Sequence, residues 1–425
     1  MRRFHLTLVL GGLAGCAVLA APSSVPQVEE LPVPPAPAPV VPPATVHRLG
    51  DLTVRVRLDR PRVREGEERY VLVEVEGGTD VDARALDLAL VVDASGSMQG
   101  RRMDQLKEAV STIGDELGDG DRVALVSFRS KAALHHSGPM HHSFFFALDQ
   151  LQAWGDTNLY DGLTMGLDAV RVGGRVVLLS DGEPTVGPRT IGDYLPILNQ
   201  ARARGVTASA LGLGSSFDPW LLTALSDAGG GSYHYVDDPE FVGGMLVDEL
   251  ARARHVAGRG VTVDLVSEGL QVEEAYGYEA FDGGRRDDGW SAFLGDIAAG
   301  EQRKVVARVR VRAGYLGNVV VRSEAGELVV PIHADFLSTG EESVVDEAVA
   351  QQVLRARAGD VMVEHARLRS LGYVDVADTV FNDGNAALRG LESAYGVVSP
   401  EVDVLRGADE MDLLSEQLRA VGYMD

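Results

Sequence analysis

Apolar residues follow two different periods along this chain. Residues 52–58 and 70–75 alternate apolar and polar side chains, which is the period of half-buried antiparallel strands. From residue 85 the pattern changes to short continuous apolar runs, beginning near 85, 122, 175 and 205. Such runs, separated by amphipathic segments, predict a parallel sheet covered by helices on both faces. The helices are predicted at 101–117, 143–153, 160–171, 190–204, 217–228 and 239–253.

The alternating pattern returns after Arg254, so the two outer regions are expected to form one β-sandwich. Two strands before the α/β unit cannot bury a face by themselves, and several strands follow it. Beyond residue 339 the apolar spacing becomes helical again. The predicted fold class is therefore α/β: a doubly wound, mostly parallel sheet inserted in a β-sandwich, with a C-terminal helical region. The predicted segments are 47–83 and 255–338 for the sandwich, 84–254 for the inserted domain and 339–425 for the helical region.

The charge balance of the chain narrows the classes of partner. Its 425 residues include 63 Asp and Glu against 39 Lys and Arg, which gives a formal net charge of -24. Phosphate binding needs clustered cations, and the sequence contains no long Lys/Arg block. We therefore expect no nucleic-acid partner; a cation ligand or a partly basic protein fits the charge better.

The first 21 residues have the layout of an export signal. Two arginines precede an apolar stretch that ends in Leu13-Ala14-Gly15-Cys16. This tetrapeptide resembles the lipobox of bacterial lipoproteins, in which the cysteine carries the lipid. The resemblance implies a lipid-anchored protein of the bacterial cell envelope, and Ala17 after the cysteine indicates the outer membrane. A secretory signal cleaved near Ala20 or Ala21 and an uncleaved membrane anchor are the alternatives.

Residues 22–46 are predicted to be a proline-rich linker. Nine of the 18 prolines of the chain fall within 22–43. Proline removes a backbone donor and favours extended polyproline II structure, so this segment cannot form a helix or the interior of a sheet. It is expected to act as a stalk between the lipid and the folded part.

Oxygen-bearing side chains follow the predicted strand "LALVV". Asp93, Ser95 and Ser97 stand two residues apart, with a glycine between the serines that permits a tight turn. In doubly wound sheets, ligands bind beyond the carboxyl ends of the strands. Hydroxyls with a carboxylate suit a hard divalent cation, but three ligands are too few. Thr157 in "WGDTNLYDGL" and Asp181 after "VVLLS" lie in loops that can complete the set.

This ordered set resembles the metal-ion-dependent adhesion site of the von Willebrand factor A family. The segments "GDGDRVALVSF", "GDTNLYDGL" and "VVLLSDGEPTVG" also occur in the order typical of that domain, and the resemblance covers about residues 84–254. It implies a bound Mg²⁺, with Mn²⁺ or Ca²⁺ as alternatives. By the same resemblance, the direct ligands would be Ser95, Ser97 and Thr157, with Asp93 and Asp181 acting mainly through water. The residues alone do not rank these ligands.

In that family, a Glu or Asp of a partner protein replaces a water on the metal. The resemblance therefore implies a non-enzymatic, envelope-anchored binding or adhesion module that recruits an acidic residue of a protein partner. One alternative is a scaffold in which the metal only stabilises the fold and the flanking domains bind partners. Another is a hydrolase with Ser95 or Ser97 as nucleophile, although D-A-S-G-S does not match the G-x-S-x-G elbow. A purely structural alternative is that these side chains cap the helix that follows. A cap needs one such residue and would not account for all three of Asp93, Ser95 and Ser97.

Two further motifs are assigned structural roles. Histidines 135, 136, 141 and 142 suggest zinc, but adjacent histidines on a strand project in different directions, which argues against it. The family resemblance implies a strand end and the entry to a helix here, so a surface loop is expected. The aromatic trio at 144–146 is predicted to begin a helix that faces the core.

Overall fold

The computed structural model describes the chain from residue 45 to residue 399 with short gaps. The described ranges are 45–181, 183–213, 219–236, 241–266, 270–276, 285–286, 289–311, 315–338, 341 and 343–399. Cys16, the export signal and nearly all of the proline-rich linker lie outside them, as does the last predicted helical segment. Within these ranges, no helix combines the length and the apolar character needed to cross a bilayer.

Strands and helices follow the two periods of the sequence. The strands of the described part are β1 (Val46–Leu49), β2 (Leu52–Leu58), β3 (Arg62–Val63), β4 (Glu68–Gly77), β5 (Asp87–Asp93), β6 (Arg122–Phe128), β7 (Ala132–Gly138), β8 (Arg175–Ser180), β9 (Thr207–Leu213), β10 (Gly230–Val236), β11 (Val256–Val266), β12 (Leu270–Tyr276), β13 (Arg285–Arg286), β14 (Gly289–Ala298), β15 (Gln302–Val311), β16 (Tyr315–Ser323), β17 (Gly326–His333) and β18 (Asp335–Phe336). The helices are α1 (Arg101–Thr112), α2 (His142–Asp149), α3 (Leu159–Ala169), α4 (Ile191–Ala203), α5 (Pro219–Gly229), α6 (Val242–Arg254), α7 (Glu347–Ser370) and α8 (Val374–Tyr395).

The α/β unit is a six-stranded sheet in the order β10-β9-β8-β5-β6-β7, parallel except for β7. Its central strand β5 is buried on both faces. Ala89 and Val91 pack in the core on one side of the sheet, and Leu88 and Leu90 pack in the core on the other. The continuous apolar run of the sequence follows from this double burial. The doubly wound fold is thus confirmed.

Two edge strands and two helix ends depart from the sequence-based prediction. β7 and β10 give no continuous apolar run, because β7 is a largely exposed edge strand rich in histidine and β10 begins with two glycines. α1 ends at Thr112 and not at 117, because the chain continues as a 3₁₀ turn over Ile113–Asp115. α2 ends at Asp149 rather than at 153.

Residues on both sides of the α/β unit form one β-sandwich. One sheet has the order β1-β2-β4-β15-β12 and the other β13-β14-β11-β16-β17. In the first sheet, β4 pairs antiparallel with β15, with Val71 opposite Ala307. Because β4 precedes the α/β unit and β15 follows it, the unit is inserted in the sandwich, and apolar residues of both segments share one core.

The C-terminal helices α7 and α8 form a hairpin that packs on both other parts of the fold. Val349 and Val353 of α7 pack against Tyr70 and Leu72 on the outer face of the sandwich. On the neighbouring face of α7, Ala350, Leu354 and Ala358 belong to a core of the α/β unit. The sequence predicted a C-terminal helical region but not its contact with the α/β unit.

A buried charge network also connects the α/β unit with the sandwich. Glu249 of α6 is fully buried, and its carboxylate lies 2.8 Å from Nη1 of Arg175 on β8 and 3.4 Å from Nε2 of His234. Nη2 of Arg175 lies 3.8 Å from Asp296 of β14, a sandwich strand. Burial alone would raise the pKa of Glu249, but Arg175, His234 and Ser209 outweigh it and lower that pKa to about 2.

Replacing Glu249 with glutamine should therefore destabilise the protein. Arg175 would stay buried without its main counter-charge, and breaking a buried pair in this way costs about 3 kcal/mol or more. The loss is measured by urea unfolding at pH 7. Glu108→Gln, at an exposed glutamate on α1, is the control and should change the free energy of unfolding by less than about 0.5 kcal/mol.

The pH dependence of this difference tests its electrostatic origin. The pKa of Glu249 in the folded protein is below its ordinary value of 4.5, so the ion pair contributes fully above that pH. The gap in stability between wild type and Glu249→Gln should narrow as the pH falls from 4.5 towards 2. A gap that does not change over this range would show that packing, not charge, is lost.

Candidate metal centre

The loop after β5 holds Asp93 by both of its carboxylate oxygens. Asp93 is the last residue of the strand and is fully buried. Its Oδ1 accepts the backbone N–H of Ser95 at 2.8 Å, and its Oδ2 accepts the hydroxyl of Ser180 at 2.7 Å. Because two adjacent strands, β5 and β8, meet at this carboxylate, its position at the carboxyl edge of the sheet is fixed.

The two serines of the loop converge with the second predicted aspartate. Ser95 Oγ lies 2.9 Å from Ser97 Oγ, and Ser97 Oγ donates to Asp181 Oδ1 at 2.6 Å. Neighbouring ligands of an octahedral Mg²⁺ with bonds near 2.1 Å are separated by about 3 Å. The spacing of these oxygens is therefore close to that of a ligand set.

Thr157 is joined to this group through the backbone of its loop. The N–H of Gly96 donates to the carbonyl of Gly155 at 3.0 Å, and the N–H of Trp154 donates to the carbonyl of Ala94 at 2.9 Å. Gly155 has a φ of +87°, a conformation that favours glycine. Thr157 itself is 4% exposed, and its N–H donates to Thr185 Oγ1 at 2.8 Å. Direct hydrogen bonds thus connect the other four predicted ligands, Asp93, Ser95, Ser97 and Asp181. Thr157 is connected to them only through the backbone of its loop.

Two buried carboxylates make the site electronegative. Burial, with a smaller contribution from the charge of Asp181, raises the pKa of Asp93 to about 6, although hydrogen bonds from Ser95 and Ser180 oppose the rise. Asp181 is also fully buried. Like charges buried side by side are unfavourable unless a cation compensates them. The charge and the oxygen-only donor set both fit a hard divalent cation such as Mg²⁺, with Mn²⁺ or Ca²⁺ as the alternatives.

Arg102, which sequence reasoning missed, supplies part of that compensation. Its Nη1 lies 2.6 Å from Asp181 Oδ2, and 44% of its side chain is exposed. The same nitrogen lies 3.4 Å from the carbonyl oxygen of Ser97. Arg102 is the second residue of α1, so the start of that helix, directly after the D-x-S-x-S loop, was the available signal.

Ser180 is the second residue of the site that the sequence-based prediction missed. It precedes Asp181 in "VVLLSDGEP" and is fully buried at the end of β8. Its hydroxyl orients Asp93 from the neighbouring strand. A serine that ends an apolar strand next to a predicted ligand was the signal that could have identified it.

The histidines of 135–142 contact separate neighbours. His135 Nε2 lies 2.7 Å from the Ser127 hydroxyl, and His136 Nε2 lies 3.0 Å from the carbonyl oxygen of Pro139. His141 and His142 are exposed at the start of α2. In the described part of the chain, no three His, Cys, Asp or Glu side chains group as metal ligands. Of the aromatic trio that follows, Phe144 is buried and Phe146 is 68% exposed.

Comparison with known proteins places the α/β unit in a family. The model of the von Willebrand factor type A domain matches residues 87–246. Among solved structures, a von Willebrand factor type A protein from Catenulispora acidiphila has a TM-score of 0.64 at 18% identity, covering 85% of this chain and 91% of that one. The ArnB paralog VWA2 from Sulfolobus acidocaldarius has a TM-score of 0.60 at 18% identity, covering 87% and 98%. These two likenesses extend beyond the α/β unit and concern the fold alone.

Curated relatives share a part of the chain. YfbK of Escherichia coli is 30% identical over 164 residues, which are 36% of this chain and 28% of YfbK. Inter-alpha-trypsin inhibitor heavy chain H4 of Sus scrofa is 32% identical over 117 residues, which are 24% of this chain and 13% of that protein. The chain thus matches less than half the length of these relatives. Residues 87–246 form a von Willebrand factor type A domain, a member of a family of protein-interaction and adhesion modules.

Proposed function

We propose that this protein is a non-enzymatic binding protein that recruits an acidic residue of a protein partner through a divalent cation at the von Willebrand factor type A domain. The observation that carries the proposal is that Ser97 Oγ lies 2.9 Å from Ser95 Oγ and 2.6 Å from Asp181 Oδ1, beside buried Asp93. Three hydroxyls and two carboxylates leave the coordination of an octahedral cation incomplete. A bound cation would supply a position at which a carboxylate of the partner replaces water.

Each residue of the site has a distinct task in this proposal. Ser95, Ser97 and Thr157 offer neutral oxygens, so they hold a cation without cancelling its charge. Asp93 orients the loop, since its two oxygens bind the Ser95 N–H and the Ser180 hydroxyl. Asp181 accepts from Ser97 and is shared with Arg102. The charge left uncompensated on a cation would then attract an external carboxylate.

The contacts of the two serines support binding over hydrolysis. Ser95 Oγ contacts Ser97 Oγ, and Ser97 Oγ donates to a carboxylate that is itself paired with Arg102. A serine nucleophile needs a general base that can accept its proton and is oriented by a third group. Among the described residues, histidine–serine hydrogen bonds join His135 to Ser127 and His136 to Ser143, and neither of these serines belongs to the metal loop.

Loss of Asp93 should abolish metal-dependent recruitment. Asp93→Ala removes the group that orients the loop, and such losses lower metal affinity roughly 10- to 100-fold. A pull-down from envelope extract is run with Mg²⁺, with EDTA and with Asp93→Ala, and circular dichroism checks the fold. Partners should disappear in both treatments while the spectrum stays unchanged.

A control variant separates this effect from loss of any carboxylate. Asp168→Ala removes an exposed acid near the end of α3 that lies away from the carboxyl edge of the sheet, and partners should be retained. If partners are also retained with EDTA and with Asp93→Ala, the metal site only stabilises the fold. The sandwich or the α7–α8 hairpin would then make the contacts, and the proposal would be wrong.

Arg102 should set the affinity of the site for the cation. A cation bound between these ligands must share Asp181 with the guanidinium, so Arg102→Met should tighten Mn²⁺ or Mg²⁺ binding roughly two- to fivefold, as expected for a partly exposed pair. Isothermal titration calorimetry measures the dissociation constant. Arg101→Met removes the same charge from the neighbouring exposed residue and should have a smaller effect. Equal effects of both variants would contradict a specific role for the Arg102 contact.

The proposal places the protein in the bacterial cell envelope, attached by lipid at Cys16, with the outer membrane as the expected site. If so, Cys16→Ser should move the protein from the membrane fraction to the soluble fraction, as detected by immunoblotting of separated fractions. Equal membrane retention of both forms would contradict attachment through Cys16.

A further inference from the structure

Arg129 and Trp154 lie beside the metal loop, on two different elements. Arg129 directly follows β6, whose last residue, Phe128, accepts the N–H of Ala94 at 2.9 Å. Trp154 donates its own N–H to the carbonyl of Ala94 at 2.9 Å. Trp154 and Phe128, the residue before Arg129, are thus held by backbone hydrogen bonds to Ala94, which lies between Asp93 and Ser95.

The two side chains stack on each other at the surface. Cζ of Arg129 lies 4.2 Å from the centroid of the Trp154 ring, within the range of a cation–π contact. Trp154 is nevertheless 56% exposed. A guanidinium that stacks on an aromatic ring by its flat face can still donate from its N–H edges to a carboxylate. The contact also restrains the side chain, which lowers the entropy lost when a partner binds.

The charge of Arg129 is not balanced by the described part of the protein. No carboxylate in that part lies within ion-pair distance of Arg129, and the nearby Asp156 instead accepts the Ser130 hydroxyl at 2.8 Å. In a chain with a net charge of -24, a cation without a carboxylate partner beside an electronegative metal site indicates a surface for an acidic ligand.

We propose that Arg129 and Trp154 form a second recognition element, which selects partner segments that carry two carboxylates. One carboxylate binds at the metal centre, and the other accepts from the N–H edge of Arg129. An apolar side chain of the same segment packs on the exposed part of the Trp154 ring, because exposed tryptophan and arginine side chains are typical anchors of interfaces. This inference rests on the proposed function, since it concerns the partner of the same site.

A random 12-residue peptide library displayed on phage tests this selection. The library is bound to the purified protein in Mg²⁺ and eluted with EDTA, so that metal-dependent binders are recovered. Recovered peptides should share an acidic residue at one position, a second acidic residue at a constant distance, and an apolar residue near them. Absence of EDTA-eluted acidic peptides would overturn the proposed function together with this inference.

Three variants isolate the second element. With Arg129→Gln, the selected peptides should keep the first acidic residue but no longer be enriched in the second. A peptide selected on the wild type should bind this variant roughly tenfold more weakly, as measured by fluorescence anisotropy. With Trp154→Ala, the apolar preference should be lost and the second acid weakened. Lys131→Gln is the matched control and should leave both preferences intact.

The selected peptides distinguish metal-bridged binding from recognition by Arg129 and Trp154. The selected peptides could share a single acidic residue and show the same neighbouring residues for wild type, Arg129→Gln and Trp154→Ala. That result would support the metal-bridged function and overturn the second recognition element. An equal loss for Arg129→Gln and Lys131→Gln would show a general electrostatic attraction and would also overturn it.

Discussion

Burial of two aspartates at neighbouring strand ends is the constraint around which the site is organised. Asp93 and Asp181 are both fully buried, and burial together with the charge of Asp181 raises the pKa of Asp93. The protein stabilises this pair with the Ser180 hydroxyl of β8, with the Ser95 N–H and the Ser97 hydroxyl of the loop after β5, and with the guanidinium of Arg102. Since that compensation is incomplete for two full charges, affinity for a cation would be a consequence of the fold.

The remaining architecture keeps this edge of the sheet in a fixed place relative to the rest of the protein. The α/β unit leaves the sandwich and returns to it, so two chain crossings tether it. The Glu249–Arg175–Asp296 network and the apolar faces of α7 add contacts between the same parts. A partner held at the metal edge would therefore be held relative to the sandwich as well. Recruitment by such a protein positions its ligand in addition to retaining it.

Much of the fold was predictable because burial on both sheet faces leaves a direct trace in the sequence. The apolar run that ends at Asp93 is such a trace, and the D-x-S-x-S spacing placed three oxygens in one loop. Edge strand β7 left no apolar run because nearly all of its residues are exposed or only partly buried. The Arg102 contact with Asp181 spans 79 residues of sequence and depends on how α1 leaves the loop, which no local pattern specifies.

Arg102 places a positive charge next to a site that is proposed to bind a cation, and this placement has a physical explanation. Without Arg102, the two aspartates would bind a divalent ion more tightly but would neutralise more of its charge, and a partner carboxylate would gain less by replacing water. With Arg102 sharing Asp181, the bound ion would keep more of its attraction for an external acid. Arg129, stacked on Trp154 and lacking a carboxylate partner in the described part of the chain, extends that attraction beyond the metal. Under the proposed function, the site would thus give up affinity for the ion in favour of affinity for the partner.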